Sequence, residues 1–141
     1  MTLKTNLDIA KKKLYPLRSS ITGDGFKKRL EVIKKKFPKM KIHSIRSGKK
    51  VYDWKIPPEW NIKEAYILDK YNKKIVDIKN NFLHLVGYSI PINKYCTKKE
   101  IINHLHSLPK QGKAIPYVTS YYKKYWGFCT THNDKLKIIK N

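Results

Sequence analysis

Leu3, Leu7, Ala10 and Leu14 recur at intervals of three and four, the spacing that lines one face of an α-helix. Thr5 or Asn6 can cap this helix, Asp8 suits its first turn, and Pro16 stops it. A turn over Ile21-Thr22-Gly23-Asp24-Gly25 leads to a second helix, with Asp24 as the expected N-cap. Phe26, Leu30, Ile33 and Phe37 form its apolar stripe, lysines fill the other face, and Pro38 ends it.

From Met40 the period changes. Lys41 to Arg46 roughly alternates, Ser47-Gly48 turns, and Val51 to Ile56 alternates again until Pro57-Pro58. Ala65 to Leu68, the polar turn Lys70 to Lys73 and Ile75 to Ile78 predict a β-hairpin, and Phe82 to Tyr88 a further strand. The stretch 41–95 therefore reads as β-rich. Thr97-Lys98-Lys99-Glu100 is a capping box that opens a helix, with Ile101, Leu105 and Leu108 on one face and Pro109 closing it. Beyond it come Ile115 to Val118, an aromatic run from Tyr121 to Phe128, and a basic tail, Lys135 to Asn141. The fold class expected is α+β: a helical pair over 1–40, a β-rich module over 41–95, and a return helix, aromatic segment and basic tail over 96–141.

Charge alters this picture less than its size suggests. The 141 residues carry a formal net charge of +22, which invites a nucleic-acid or other polyanion partner. Yet 29 of the 32 basic residues are Lys, and only Arg18, Arg29 and Arg46 offer the forked guanidinium that reads base edges and phosphates best. The lysines are spread along the chain, so weak, non-specific polyanion binding is the expectation. A small basic polyanion-binding protein remains the alternative function. With 40% hydrophobic and 12% aromatic residues, the chain can bury a core despite its charge.

Candidate chemistry is sparse. Cys96 and Cys129 form no CxxC pair, which fits a reducing cytoplasm. Met1 to Lys13 lacks the apolar segment of a secretory signal, and no apolar run reaches membrane-spanning length, so no membrane partner is expected. His104 and His106 could share an ion on a strand, but on the helix that the capping box implies they point about 200° apart. His132-Asn133-Asp134 reads as a surface turn and Cys129 as a buried thiol. After Asp77 only Glu100 and Asp134 are acidic, too few for a metallohydrolase cluster. No catalytic and no metal-binding residue is assigned. The aromatic residues are denser than a core needs. Trp54, Trp60 and Trp126 are expected to be buried, and Tyr121, Tyr122 and Trp126 are candidates for a cleft lining or an inter-domain contact.

Longer strings carry a resemblance. Leu14-Tyr15-Pro16-Leu17, Ser20-Ile21-Thr22-Gly23-Asp24-Gly25, Val51-Tyr52-Asp53-Trp54 and Ile56-Pro57-Pro58-Glu59-Trp60-Asn61-Ile62 occur in that order. His104-Leu105-His106-Ser107-Leu108-Pro109, Ile115-Pro116-Tyr117-Val118-Thr119-Ser120-Tyr121-Tyr122 and Trp126-Gly127-Phe128-Cys129 follow. Over Leu14 to about Leu136 the sequence resembles the opening of a bacterial family often labelled polysaccharide biosynthesis proteins with an aminopeptidase-like domain. Ser19 stands where that family's opening carries Arg, with Arg18 one place earlier.

The resemblance implies the N-terminal part of an α/β protein similar to co-catalytic zinc aminopeptidases. It implies a zinc cofactor in the full-length family but none in this chain, because the family's metal motif follows the Trp-Gly-Phe-Cys string and lies outside this sequence. It also implies a partner: a C-terminal peptidase portion, or self-association in its place.

Overall fold

A computed structural model of the chain describes residues 3–140. The fold is α+β, with four α-helices and three two-stranded sheets among those residues. Two compact units divide between Asn61 and Ile62, which falls inside the stretch 41–95.

In the first unit, α1 (Leu3–Ile9) runs into a π-helical turn, Ala10–Leu14, closed by Tyr15 N donating to Ala10 O at 2.8 Å. Pro16, which has no N–H to give, follows at once. α2 (Gly23–Lys36) begins one residue before the expected cap. Thr22 holds the cap position, but its hydroxyl is turned to a distant strand of chain: it donates to Pro58 O at 3.4 Å and accepts from Trp60 N at 3.3 Å. Asp24 sits in the first turn, and its own N–H is capped by Asn61 Oδ1 at 2.8 Å. A remote amide has taken the role that the sequence offered to Asp24. The two glycines of the turn are required by packing. Gly23 has φ +81°, and a Cβ there would lie 2.5 Å from Trp60 O; at Gly25 a Cβ would lie 1.9 Å from Arg18 O. Of the α2 stripe, Leu30 and Ile33 are half-buried, while Phe26 and Phe37 are exposed.

The expected strand over 41–46 does not form. Ile42 and Ile45 lie three residues apart, so a strand cannot place both on one face, and both are exposed. The alternation from Val51 to Ile56 breaks into a hairpin: β1 (Lys50–Val51) pairs antiparallel with β2 (Trp54–Lys55) across Tyr52-Asp53, with Tyr52 at φ 51°. Trp54 therefore lies across from Val51 instead of beyond it, on a two-stranded ladder too small to enclose an indole. It is 47% exposed, which corrects the expectation that it is buried; Trp60 is half-buried and Trp126 buried.

The second unit opens with the expected hairpin. β3 (Tyr66–Leu68) pairs antiparallel with β4 (Lys74–Asp77), with a bulge between Ile67 and Leu68. Asp69 Oδ1 accepts from the N–H groups of Tyr71 and Lys73, both at 2.9 Å, and so closes the turn. Phe82–His84 is a 3-10 turn capped by Asn81, not the start of a strand. The chain beyond it forms single bridges instead of a ladder, Leu85 to Phe128 and Gly87 to Thr119.

Thr97 caps α3 (Lys98–Asn103) by accepting from Glu100 N at 3.2 Å. The reciprocal half of the capping box is missing, because the Glu100 carboxylate pairs with Lys94. The helix stops at Asn103 instead of running on to Leu108. Leu105–His106 forms β5, parallel to β6 (Phe128–Cys129), held by Phe128 N donating to His104 O at 2.8 Å and Thr130 N to His106 O at 3.0 Å. This pairing turns Leu105 inward, 1% exposed, onto Val76, Trp126 and Phe128, with Ala65, Ile67, Leu85, Cys96, Ile101 and Ile138 packed around them. The basic tail is a helix, α4 (His132–Lys140), and His132-Asn133-Asp134 is its first turn. Thr131 Oγ1 accepts from Asp134 N at 3.1 Å and donates to Asp134 Oδ2 at 2.7 Å, a cap that satisfies the orphan end of the helix. Among the described residues no helix is long and apolar enough to cross a membrane.

Candidate functional site

Parallel pairing of β5 with β6 brings two histidines against the aromatic run. The His104 ring stacks on Trp126, centroids 3.8 Å apart and planes 7° apart, and on Tyr125 at 5.0 Å. Its Nδ1 lies 2.6 Å from Trp126 O; a carbonyl only accepts, so this nitrogen carries the proton. His106 Nε2 lies 2.8 Å from Tyr125 Oη. Burial, then the charges of Lys135 and His104, push the His106 pKa down and favour neutral imidazole. Lys94 stands over the Trp126 ring at 5.3 Å, a cation–π contact, while its pairing with Glu100 raises the lysine pKa and lowers that of the carboxylate.

The three candidate residues occupy different environments. Trp126 belongs to the core, 7% exposed. Tyr121 packs on Tyr88, centroids 5.2 Å apart, and both take left-handed backbone, φ 38° and 63°. Such conformations cost on the order of 1–3 kcal/mol each in a bulky residue. Hydrogen bonds hold the pair: Ser120 Oγ donates to Tyr88 O at 3.1 Å and Ser120 N to Gly87 O at 2.9 Å. Tyr122 lies 6.4 Å from Tyr121 and is 62% exposed, and Tyr117 is exposed as well. Sequence reasoning missed Tyr88 and Lys94, which join this cluster through contacts with Tyr121 and Trp126, far away in the chain.

Zinc needs three or four ligands converging on one point, and the His, Cys, Asp and Glu side chains of the described residues do not supply them. His84 Nδ1 faces Cys129 O at 2.7 Å, His132 Nδ1 faces Ser107 Oγ at 3.0 Å, and His104 and His106 are engaged as described. Burial pushes the Cys129 thiol up to about 11 and favours its protonated form. Among the described residues no group of three or more His, Cys, Asp or Glu is placed to hold a metal ion.

Residues 59–141 match the family model described as a domain of unknown function, DUF2172. A Clostridium acetobutylicum protein provisionally named a polysaccharide biosynthesis protein with aminopeptidase-like domain is 46% identical over 120 residues. These are 85% of this chain and 27% of that protein. A crystal structure from the same organism, provisionally described as a peptidase, matches with a TM-score of 0.85 at 43% identity. It covers 93% of this chain and 31% of that one. The chain thus spans about a third or less of the length of the proteins it matches.

Proposed function

The chain belongs to the family described as a domain of unknown function, DUF2172, and from that membership we propose that it is a non-catalytic portion of a zinc aminopeptidase-like protein. The observation that carries this reading is the match to a peptidase-like chain over 93% of this sequence but only 31% of the other. In this reading the chain supplies scaffold. Tyr121 and Tyr122 face the cleft or the peptidase portion, and Trp126 fixes the segment that carries them. The zinc ligands and the hydrolytic chemistry belong to the rest of the parent. A reducing cytoplasm suits two free cysteines, one of them fully buried.

The test is elemental analysis of the purified chain together with an aminoacyl-amide hydrolysis assay. The reading expects zinc held no better than micromolar and no turnover above buffer. Stoichiometric, tightly held zinc or measurable turnover would overturn it.

The net charge of +22 supports a second reading, a small basic polyanion-binding protein. Submicromolar binding to one DNA sequence at physiological salt would promote it. Weak, sequence-blind binding that falls steeply with salt is what scattered lysines give.

A further inference from the structure

The tip of the β1–β2 hairpin is built against local preference. Tyr52 takes left-handed backbone, φ 51°, which glycine or asparagine adopts at less cost. Tyr88 shares that conformation but is buried against Tyr121, whereas Tyr52 is 92% exposed, so packing does not offset its strain. The ladder behind the tip is unfavourable as well. Lys50 pairs directly with Lys55, and like charges opposite each other destabilise a sheet. Successive pairs alternate between faces, so these two lysines share one face, and Val51 and the exposed Trp54 share the other. Ile45, also exposed, leads into the hairpin through a turn in which Lys49 N donates to Arg46 O at 3.2 Å. Over 46–55 four cations, Arg46, Lys49, Lys50 and Lys55, stand against one carboxylate, Asp53, and all five side chains are exposed. Strain and like-charge repulsion kept at an exposed tip point to a role outside the stability of the hairpin itself.

We infer that this hairpin docks on the surface of a bilayer that contains anionic lipids. Tyr52 and Trp54 enter at headgroup depth, where an aromatic ring with one polar end is at home, and the surrounding cations meet the lipid charge. The charge complementarity asks only for point charges on a diffuse anionic surface, and lysine supplies these without the forked geometry of arginine. No membrane-spanning run is required, because a peripheral contact buries only a few side chains at the acyl boundary. A single-stranded nucleic acid could stack bases on Tyr52 and Trp54, but it offers nothing to the aliphatic Ile45 and Val51, which the acyl boundary covers. The site lies wholly in the first unit and does not depend on the peptidase reading.

The experiment mixes the whole chain with vesicles of phosphatidylglycerol and phosphatidylcholine in equal parts, some carrying bromine on the acyl chains. The chain should sediment with the vesicles, and the bromolipid should quench a tryptophan signal that Trp54→Phe removes. Charge alone would draw so basic a chain to anionic lipid, so the deciding variant keeps every charge. Tyr52→Ser combined with Trp54→Ala should weaken vesicle binding at least about tenfold while leaving the circular dichroism unchanged. Absence of quenching in the unaltered chain would overturn the proposal, whether or not the variant folds. So would quenching that persists in Trp54→Phe, or undiminished vesicle binding by the folded double variant. A double variant that keeps the vesicles but loses a thymidine oligonucleotide would assign the tip to nucleic acid instead.

Discussion

The imidazole of His104 lies flat on the indole of Trp126, 3.8 Å between ring centroids, and the same imidazole binds the Trp126 carbonyl through Nδ1. One residue thus grips both the side chain and the backbone of the other. The grip sits where α3 gives way to β5, and it locks the aromatic run to the core. Trp126→Ala should destabilise the chain by about 3–5 kcal/mol. Trp54→Ala, on an exposed hairpin, should cost less than about 1 kcal/mol. Urea denaturation of the two variants compares them directly; equal losses would contradict the burial difference.

The Cys129 thiol is fully buried and pushed up to about 11 from an ordinary value near 9. Because the folded chain holds this proton more tightly than the unfolded chain, stability should fall as pH rises from about 9 to about 11. The fall attributable to this group is roughly 2–3 kcal/mol. Cys129→Ala should flatten that part of the pH profile. At pH 8 a thiol reagent should modify Cys129 only on unfolding, and rapid native-state labelling of Cys129 would refute the assignment.

Thr131 and Asp134 grip each other at the start of α4, and the hydrogen bond from Thr131 is the main cause of the lowered Asp134 pKa. A depressed carboxylate stabilises above its unfolded pKa, near 3.8, and loses that contribution as pH falls through the folded value. Thr131→Ala should cost about 1 kcal/mol at neutral pH and shrink the acid-side slope. Thermal melts from neutral pH down to pH 3 measure both effects; an unchanged slope would mean that Asp134 is held by Lys137 alone.

What the sequence revealed, and what it hid, follows from the range of the contacts. The β3–β4 hairpin was legible because its register is set locally by alternation and by the Asp69 turn. β5 was not, because its partner β6 lies more than twenty residues away and pulls Leu105 out of a helix that local signals favour. α4 was hidden for another reason: lysines interrupt its apolar period, although Thr131 and Asp134 stand at capping-box spacing. The tyrosine pair Tyr88 and Tyr121 leaves no sequence signal at all.

The helical segments of the first unit and the residues that follow them leave apolar side chains uncovered: Leu7 and Phe37 are each 60% exposed, and Tyr15 is 85% exposed. In the second unit Tyr117 and Tyr122 are similarly open, at 68% and 62%. Single exposed hydrophobes are ordinary, but large side chains on a helix that should bury one face mark a surface meant for contact. Burying each in a partner would contribute about 1.5–3 kcal/mol before the costs of association. The chain should therefore self-associate at micromolar concentration, and the mass distribution in analytical ultracentrifugation should shift with protein concentration. The peptidase portion of the Clostridium acetobutylicum relative, added in excess, should compete with that self-association if it covers the same residues. Leu7→Lys and Phe37→Lys should weaken both contacts while leaving helix content intact. A chain that stays monomeric at every concentration, with one cooperative unfolding transition and no response to the peptidase portion, would show that these residues need no cover.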